Sequence, residues 1–145
     1  MTAAPVEPDA PFRHPVRVYW EDTDAGGVVF YANYLKFFER ARSEWLRALG
    51  IGQQQLRDDS GVMFIVVEAA LRYRAPARLD DTLSITVLPT ATGRAAMTLQ
   101  QQAWRHNGGA APTLLCEGRI RIGCVSADTF RPCRFPPQIT TALKP

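Results

Sequence analysis

One long amphipathic helix followed by little except period-two strands is the feature that most narrows what this chain can fold into. From about Asn33 to Leu49, Tyr34, Phe38, Ala41, Trp45 and Leu49 recur at spacings of three or four, and Leu35, Phe37 and Leu46 widen the stripe. Lys36, Glu39, Arg40, Ser43, Glu44 and Arg47 fill much of the opposite surface, and Gly50 and Gly52 stand where a helix stops. Downstream the period changes to two. Val67, Ala69, Leu71 and Tyr73 make one face of a strand, and Glu68, Ala70, Arg72 and Arg74 the other. Pro76 ends it. A second strand runs through Leu83, Ile85 and Val87, Pro89 to Gly93 reads as a turn, and a third strand carries Met97, Leu99, Gln101 and Ala103. Asn107-Gly108-Gly109 is a turn signal before a last strand, in which Leu114, Cys116, Gly118, Ile120, Ile122 and Cys124 alternate with Glu117, Arg119 and Arg121.

Upstream, Val16 to Trp20 reads as a first strand. One helix and about five strands on short connections define an α+β domain whose sheet is largely antiparallel, because nothing between the strands is long enough for a crossover helix. The helix must bury its stripe on that sheet. At 145 residues, 46% of them hydrophobic, the chain suits a single core. Residues 1 to 13, with three prolines and no apolar period, read as a flexible leader. Residues 14 to 136 form the domain, and 137 to 145 an irregular tail. A long strand such as 113 to 125 is hazardous as an open edge, and pairing across a two-fold axis would protect it. A homodimer is therefore expected.

The net charge of +3 rests on scattered arginines, since Lys36 and Lys144 are the only lysines. A nucleic-acid partner needs a clustered basic face, so none is expected. Cys116, Cys124 and Cys133 are odd in number and lack metal spacing, which predicts reduced thiols and no metal site. The N-terminal stretch has no apolar core like a signal peptide, and no run approaches a membrane span, so a cytoplasmic protein with no transmembrane segment is expected. His14 and His106 lie in no motif with serine or an acid, and no glycine-rich nucleotide loop occurs. Acids are left as candidates for chemistry.

Asp22 and Asp24 stand just ahead of Gly26-Gly27 and the helix start. A helix N-terminus offers unpaired N–H groups and partial positive charge, which can hold an oxyanion. The glycines open the approach, and Asp24 is placed to attack a carbonyl carbon or to activate water. The plainer alternative is that both aspartates only close a turn, as aspartates in turns ordinarily do. Glu39 is ordinarily a solvated helix acid, and Phe30, Tyr31, Tyr34, Phe37 and Phe38 are ordinarily core. Spacing alone leaves these alternatives open.

The segment DTDAGGVVFYANYLKFFERARSEWLRALGI, with YRAPARLDDTLSI and the last strand, resembles the 4-hydroxybenzoyl-CoA thioesterase family of hot-dog-fold proteins. Within it the chain looks like the acyl-CoA thioesterases associated with the Tol-Pal cell-envelope system. The resemblance covers roughly residues 15 to 135. It implies a hot-dog fold, one long helix wrapped by an antiparallel sheet, and an enzyme that hydrolyses an acyl-CoA or acyl-carrier-protein thioester to a free acid and a thiol without a cofactor. It also implies dimers, often paired into homotetramers, with sites at the dimer interface, and a cell-envelope complex as a partner.

Carried over by position, the second acid of the DxDxxG pattern is the family's catalytic carboxylate, Asp24 here, while Asp22 shapes the turn. Many Tol-Pal-associated members have histidine where this chain has Tyr31, which leaves the Tyr31 backbone N–H as the expected oxyanion donor. Phe30, Tyr34 and Phe64 are candidates for the acyl pocket, and Arg72, Arg74 and Arg94 for the CoA phosphates. Glu39 is the alternative acid, because some hot-dog thioesterases use a helix glutamate. A rival reading is a non-catalytic acyl-carrier or envelope-complex binding protein on the same fold. A dehydratase of this fold fits the DxDxxG segment less well.

Overall fold

The computed structural model describes residues 11–143. Five strands form one antiparallel sheet: β1 (Phe12–Arg17), β2 (Val62–Tyr73), β3 (Thr82–Thr92), β4 (Ala96–Asn107) and β5 (Ala110–Ser126). Their order across the sheet is β1-β3-β4-β5-β2. Helix α1 (Asn33–Ala48) lies between β1 and β2 in the chain, followed by the short α2 (Gln53–Ser60), and α3 (Pro137–Ala142) closes the described residues. The α+β expectation of one long helix against a five-stranded antiparallel sheet is met.

The helix is seated by its stripe. Tyr34, Phe37, Phe38, Ala41, Trp45 and Leu46 are buried and join one apolar cluster with Leu83, Ile85 and Val87 of β3, Met97, Leu99 and Ala103 of β4, and Ile120 and Ile122 of β5. Phe37 and Phe38 are fully buried, each contributing about 1.5–3 kcal/mol through removal from water. Gly118 provides the room: a Cβ there would sit 2.8 Å from a Phe38 ring carbon. The helix stops where the glycine predicts. Gly50 has φ +83°, its N–H donates to the Arg47 carbonyl at 2.9 Å, and that of Ile51 reaches back to Leu46 at 2.8 Å. This double bond with a left-handed residue is a Schellman cap, and buried Ile51 packs with buried Leu46 in the same cluster. A polar side chain also enters the core. Gln101 is fully buried, donating to the carbonyls of Phe38 (3.0 Å) and Thr86 (3.3 Å) while accepting from Arg42 Nη1 at 2.9 Å.

Several sequence expectations are corrected. β1 starts at Phe12 and ends at Arg17, rather than spanning Val16 to Trp20. It is an edge strand bonded only to β3, so Pro15 inside it is tolerated, and Trp20–Asp22 instead form a 3-10 turn. The expected leader therefore gives way to strand at residue 12, and its first ten residues lie outside the described residues. β2 begins at Val62, five residues before the alternation becomes readable. Its register shifts between Val66 and Glu68, and such a bulge resets the period. Pro89 to Gly93 is not all turn: β3 runs to Thr92, with Pro89 at another register shift.

The last strand is not an edge. β5 lies between β4 and β2, and the edges are β1 and β2. The helix α2 was not expected, because its segment QQQLRDDS buries only Leu56 and so shows no stripe. Part of the tail, expected to be irregular, is helical at 137–142 with Ile139 buried, and Pro137 at its first position suits a helix start.

Candidate active site

The site is built where the chain crosses from β1 to α1. After Val18, whose carbonyl accepts from Asp80 N–H at 3.0 Å, the 3-10 turn is held by Asp22. This buried carboxylate takes the Tyr19 N–H at 2.8 Å, and the Asp22 carbonyl accepts from Phe30 N–H and from Asn33 Nδ2, both at 2.9 Å. Asp22 is scaffolding in this geometry: it ties the turn to the first residue of α1.

Asp24 stands differently. Thr23 and Val29 bridge, and between them the chain makes a tight loop in which Asp24 Oδ1 accepts from Gly26 N–H at 2.8 Å and Val28 N–H at 3.4 Å. Two glycines allow this closure. A Cβ on Gly26 would sit 3.2 Å from Asp24 Oδ1, and Gly27 has φ +78°, a conformation that side chains disfavour. One carboxylate oxygen is therefore engaged by the turn, while Oδ2 accepts no hydrogen bond among the described residues. The side chain is exposed. The turn-closing alternative is seen in Oδ1, and closing the turn leaves Oδ2 of the same acid unengaged among the described residues.

Helix α1 begins directly beyond. The Phe30 carbonyl accepts from Asn33 N–H at 2.8 Å and that of Ala32 from Leu35 N–H at 3.1 Å. The N–H groups of Tyr31 and Ala32 find no protein acceptor among the described residues. Such unpaired donors at a helix start carry partial positive charge. The Tyr31 carbonyl accepts from Tyr73 Oη at 2.9 Å.

Of the other candidates, the fold gathers some here and sends others elsewhere. The Phe30 ring lies 4.8 Å from that of Tyr31. Tyr34 is buried and its hydroxyl accepts from Ala77 N–H at 3.3 Å, while burial pushes its pKa up. Tyr31, Tyr34, Tyr73 and Arg74 line an open cleft of about 330 Å³ with Val29, Ala75 and Pro76. Arg74 is also paired to Glu117 at 2.8 Å. Arg72, two residues earlier in β2, lines a separate groove with Glu117, Arg119 and Gln100. Phe64 and Arg94 do not join Asp24 within this chain. Phe64 is nine residues before Tyr73 on β2, about 30 Å at strand rise. It packs on Phe135 at 5.8 Å, whose N–H donates to the Arg94 carbonyl.

Glu39 and Phe64 do come together. They line a cleft of about 160 Å³ between α1 and β2, with Arg42, Ser43 and Val66, where Glu39 accepts from Ser43 Oγ at 3.0 Å. Arg42 is held below its ordinary pKa by burial, with Glu39 pulling the other way. Two further features escaped the sequence reading. Tyr73 reaches a residue 42 positions away, a pairing with no local signal. Ser84 Oγ and His106 Nε2 meet at 2.7 Å across β3 and β4, on strands whose adjacency only the sheet order reveals. Among the described residues no three His, Cys, Asp or Glu side chains gather as a metal site, and no helix is long and apolar enough to cross a membrane.

Comparison with known proteins decides the family. The profile of the Thioesterase-like superfamily matches residues 18–143. The chain belongs to that superfamily. It is 38% identical over 135 residues to "Acyl-CoA thioesterase YbgC" of Haemophilus influenzae, covering 93% of this chain and 96% of the relative. It is 41% identical over 133 residues to "Acyl-CoA thioester hydrolase YbgC" of Escherichia coli, covering 92% and 96%. A solved 4-hydroxybenzoyl CoA thioesterase mutant complexed with 4-hydroxybenzoyl CoA superposes with a TM-score of 0.85 at 18% identity, over 91% of this chain and 97% of that one. That likeness carries the fold, and the hot-dog expectation holds.

Proposed function

We propose that this protein hydrolyses an acyl-CoA thioester to a free acid and CoA, with Asp24 as the catalytic carboxylate. The observation that carries the reading is the free Oδ2 of an exposed Asp24, in a glycine-opened loop that leads straight to the unpaired N–H groups at the start of α1. The names and identity of the relatives support thioester hydrolysis. In one route an Asp24 oxygen bonds to the carbonyl carbon, the C–S bond breaks, CoA leaves as thiolate, and water hydrolyses the resulting anhydride to restore the carboxylate. In the other, Asp24 takes a proton from a water whose oxygen attacks that carbon, and the proton passes to the departing sulfur. Both develop negative charge on the carbonyl oxygen, which the Tyr31 N–H would stabilise.

A second acid is favoured by one observation: Glu39 lines a cleft with the acyl-pocket candidate Phe64. The open edge of β2 relates the two places. Val66 and Val67 are 48% and 53% exposed, and β2 bonds only β5 among the described strands, so an exposed apolar edge calls for a partner. Antiparallel pairing of β2 with β2 of a second copy would invert the strand. The Phe64–Glu39 cleft of one subunit would then lie toward the Tyr73–Tyr31 end of the other. We therefore assign a homodimer, open to further pairing as a tetramer, with Phe30, Tyr34 and Phe64 toward the acyl group and Arg72, Arg74 and Arg94 toward CoA phosphates. Three free cysteines suit a reducing cytoplasm, and the resemblance to Tol-Pal-associated thioesterases makes a cell-envelope complex the proposed partner. No metal or redox group has a step in either route.

The test is hydrolysis of a panel of acyl-CoA thioesters by the wild type and by Asp24→Asn. Turnover that the variant loses while remaining folded supports the reading. Absence of hydrolysis by the wild type, with stable capture of an acyl carrier instead, would make this a binding protein.

A further inference from the structure

We infer that Tyr73 is a positioning residue for this hydrolysis: its hydroxyl fixes the peptide that presents the Ala32 N–H, and so makes that group the second donor to the oxyanion. The inference rests on the reading of Asp24 and the α1 start given above. A peptide unit is planar, so the Tyr31 carbonyl and the Ala32 N–H turn together and point in opposite directions. Whatever holds the one aims the other.

Two consecutive peptides at the start of α1 are held in this way. The first, Phe30–Tyr31, has its carbonyl anchored by Asn33 N–H at 2.8 Å, which belongs to the first helical turn and needs nothing from elsewhere. The second, Tyr31–Ala32, lacks a local anchor, and its carbonyl is taken by Tyr73 Oη at 2.9 Å from the end of β2. The two N–H groups left over, of Tyr31 and Ala32, are adjacent and without protein acceptors among the described residues. A donor on the carbonyl also polarises the amide, which strengthens the N–H as a donor on the far side.

The rest of the neighbourhood steadies the phenol. Its ring meets Tyr34 at 5.7 Å and 62° and Tyr31 at 6.4 Å and 83°, and Tyr34 is itself pinned by Ala77 N–H at 3.3 Å. Partial desolvation raises the Tyr73 pKa, which keeps the hydroxyl protonated and able to donate. The ring can therefore stay in place when the hydroxyl is removed.

The Tyr73→Phe variant separates the two. Loosening one oxyanion donor should lower kcat on the order of tenfold, a fraction of what full removal of such a donor costs, with KM for acyl-CoA within about twofold. The melting temperature should stay within a few degrees. A spectroscopic reading isolates the mechanism: the carbonyl stretch of an isotope-labelled acyl-CoA bound to Asp24→Asn should shift down from its free value, and adding Tyr73→Phe should move it back. Wild-type kcat in Tyr73→Phe overturns the inference. So does a lower kcat with an unmoved carbonyl stretch, which reduces Tyr73 to a structural part. Wild-type turnover in Asp24→Asn would sink the parent reading instead, whatever Tyr73→Phe does.

Discussion

Replacing Gly118 with alanine tests how tightly α1 is seated over the sheet. Gly118 lies in β5 opposite Leu71 of β2 and Gln101 of β4, on the face that receives the helix. A Cβ there would stand 2.8 Å from Phe38 Cε2, 2.9 Å from Leu71 Cδ2 and 3.2 Å from Phe38 Cδ2. The first two separations fall well inside van der Waals contact, and Phe38 is fully buried with nowhere to swing. Overpacking of this kind costs ~1–3 kcal/mol. Removing a glycine from a strand interior returns ~0.5–1 kcal/mol, so mid-range values leave a net loss of about 1 kcal/mol. For a chain of this length that lowers the melting temperature by roughly 3–5 °C. The assay is urea unfolding of wild type, Gly118→Ala, Phe38→Leu and the double variant. Phe38→Leu should recover part of the loss in the alanine background, giving a favourable coupling of ~1 kcal/mol or more. An alanine variant as stable as wild type, or a coupling near zero, would refute the packing argument.

Two further perturbations bear on the turn and on the core thiols. Asp22→Ala removes the acceptor of the Tyr19 N–H from a buried position, and urea unfolding should show a loss of about 1–2 kcal/mol. Burial pushes the Cys116 thiol up to about 12 and Cys124 up to about 11, from an ordinary 9.0. The unfolded chain therefore releases these protons first. Their contribution is complete below pH 9, declines from there toward pH 12, and is flat above. Unfolding monitored across that range should show alkaline destabilisation that Cys116→Ala makes shallower, and a thiol reagent at neutral pH should modify the partly exposed Cys133 before either buried cysteine.

The parts of this fold that could be read from sequence are those whose signal is local. The α1 stripe from Tyr34 to Leu46 and the cap at Gly50 follow from periodicity and backbone freedom, and both are seen in the structure. The β5 alternation was equally legible as a strand, but not its central place, because sheet order depends on which strands meet. β2 lost five residues to a bulge that breaks the period beside Val67, and α2 has only Leu56 to betray it. At the site, the order acid, glycines, helix start lies within one segment and was visible. The different engagement of Asp22 and Asp24 is not derivable from spacing, although the family resemblance implies different roles for them. Tyr73 was missed because its bond to Tyr31 joins a strand end to a helix start, and the separation of Phe64 and Arg94 from Asp24 is a matter of strand length.

The proposed role of the Asp24 carboxylate is to perform the hydrolysis. Its most direct measurement is kcat/KM for a short acyl-CoA with Asp24→Asn and Glu39→Gln side by side, each checked for folding by circular dichroism. Amide for acid keeps the shape and the acceptor for the Gly26 and Val28 N–H groups, so the loop should survive. Asp24→Asn should lower kcat/KM on the order of 10³-fold or more, about 4 kcal/mol of transition-state stabilisation, and Glu39→Gln should retain turnover. Near wild-type turnover in Asp24→Asn, with activity abolished in Glu39→Gln, would contradict that role and move the chemistry to the helix.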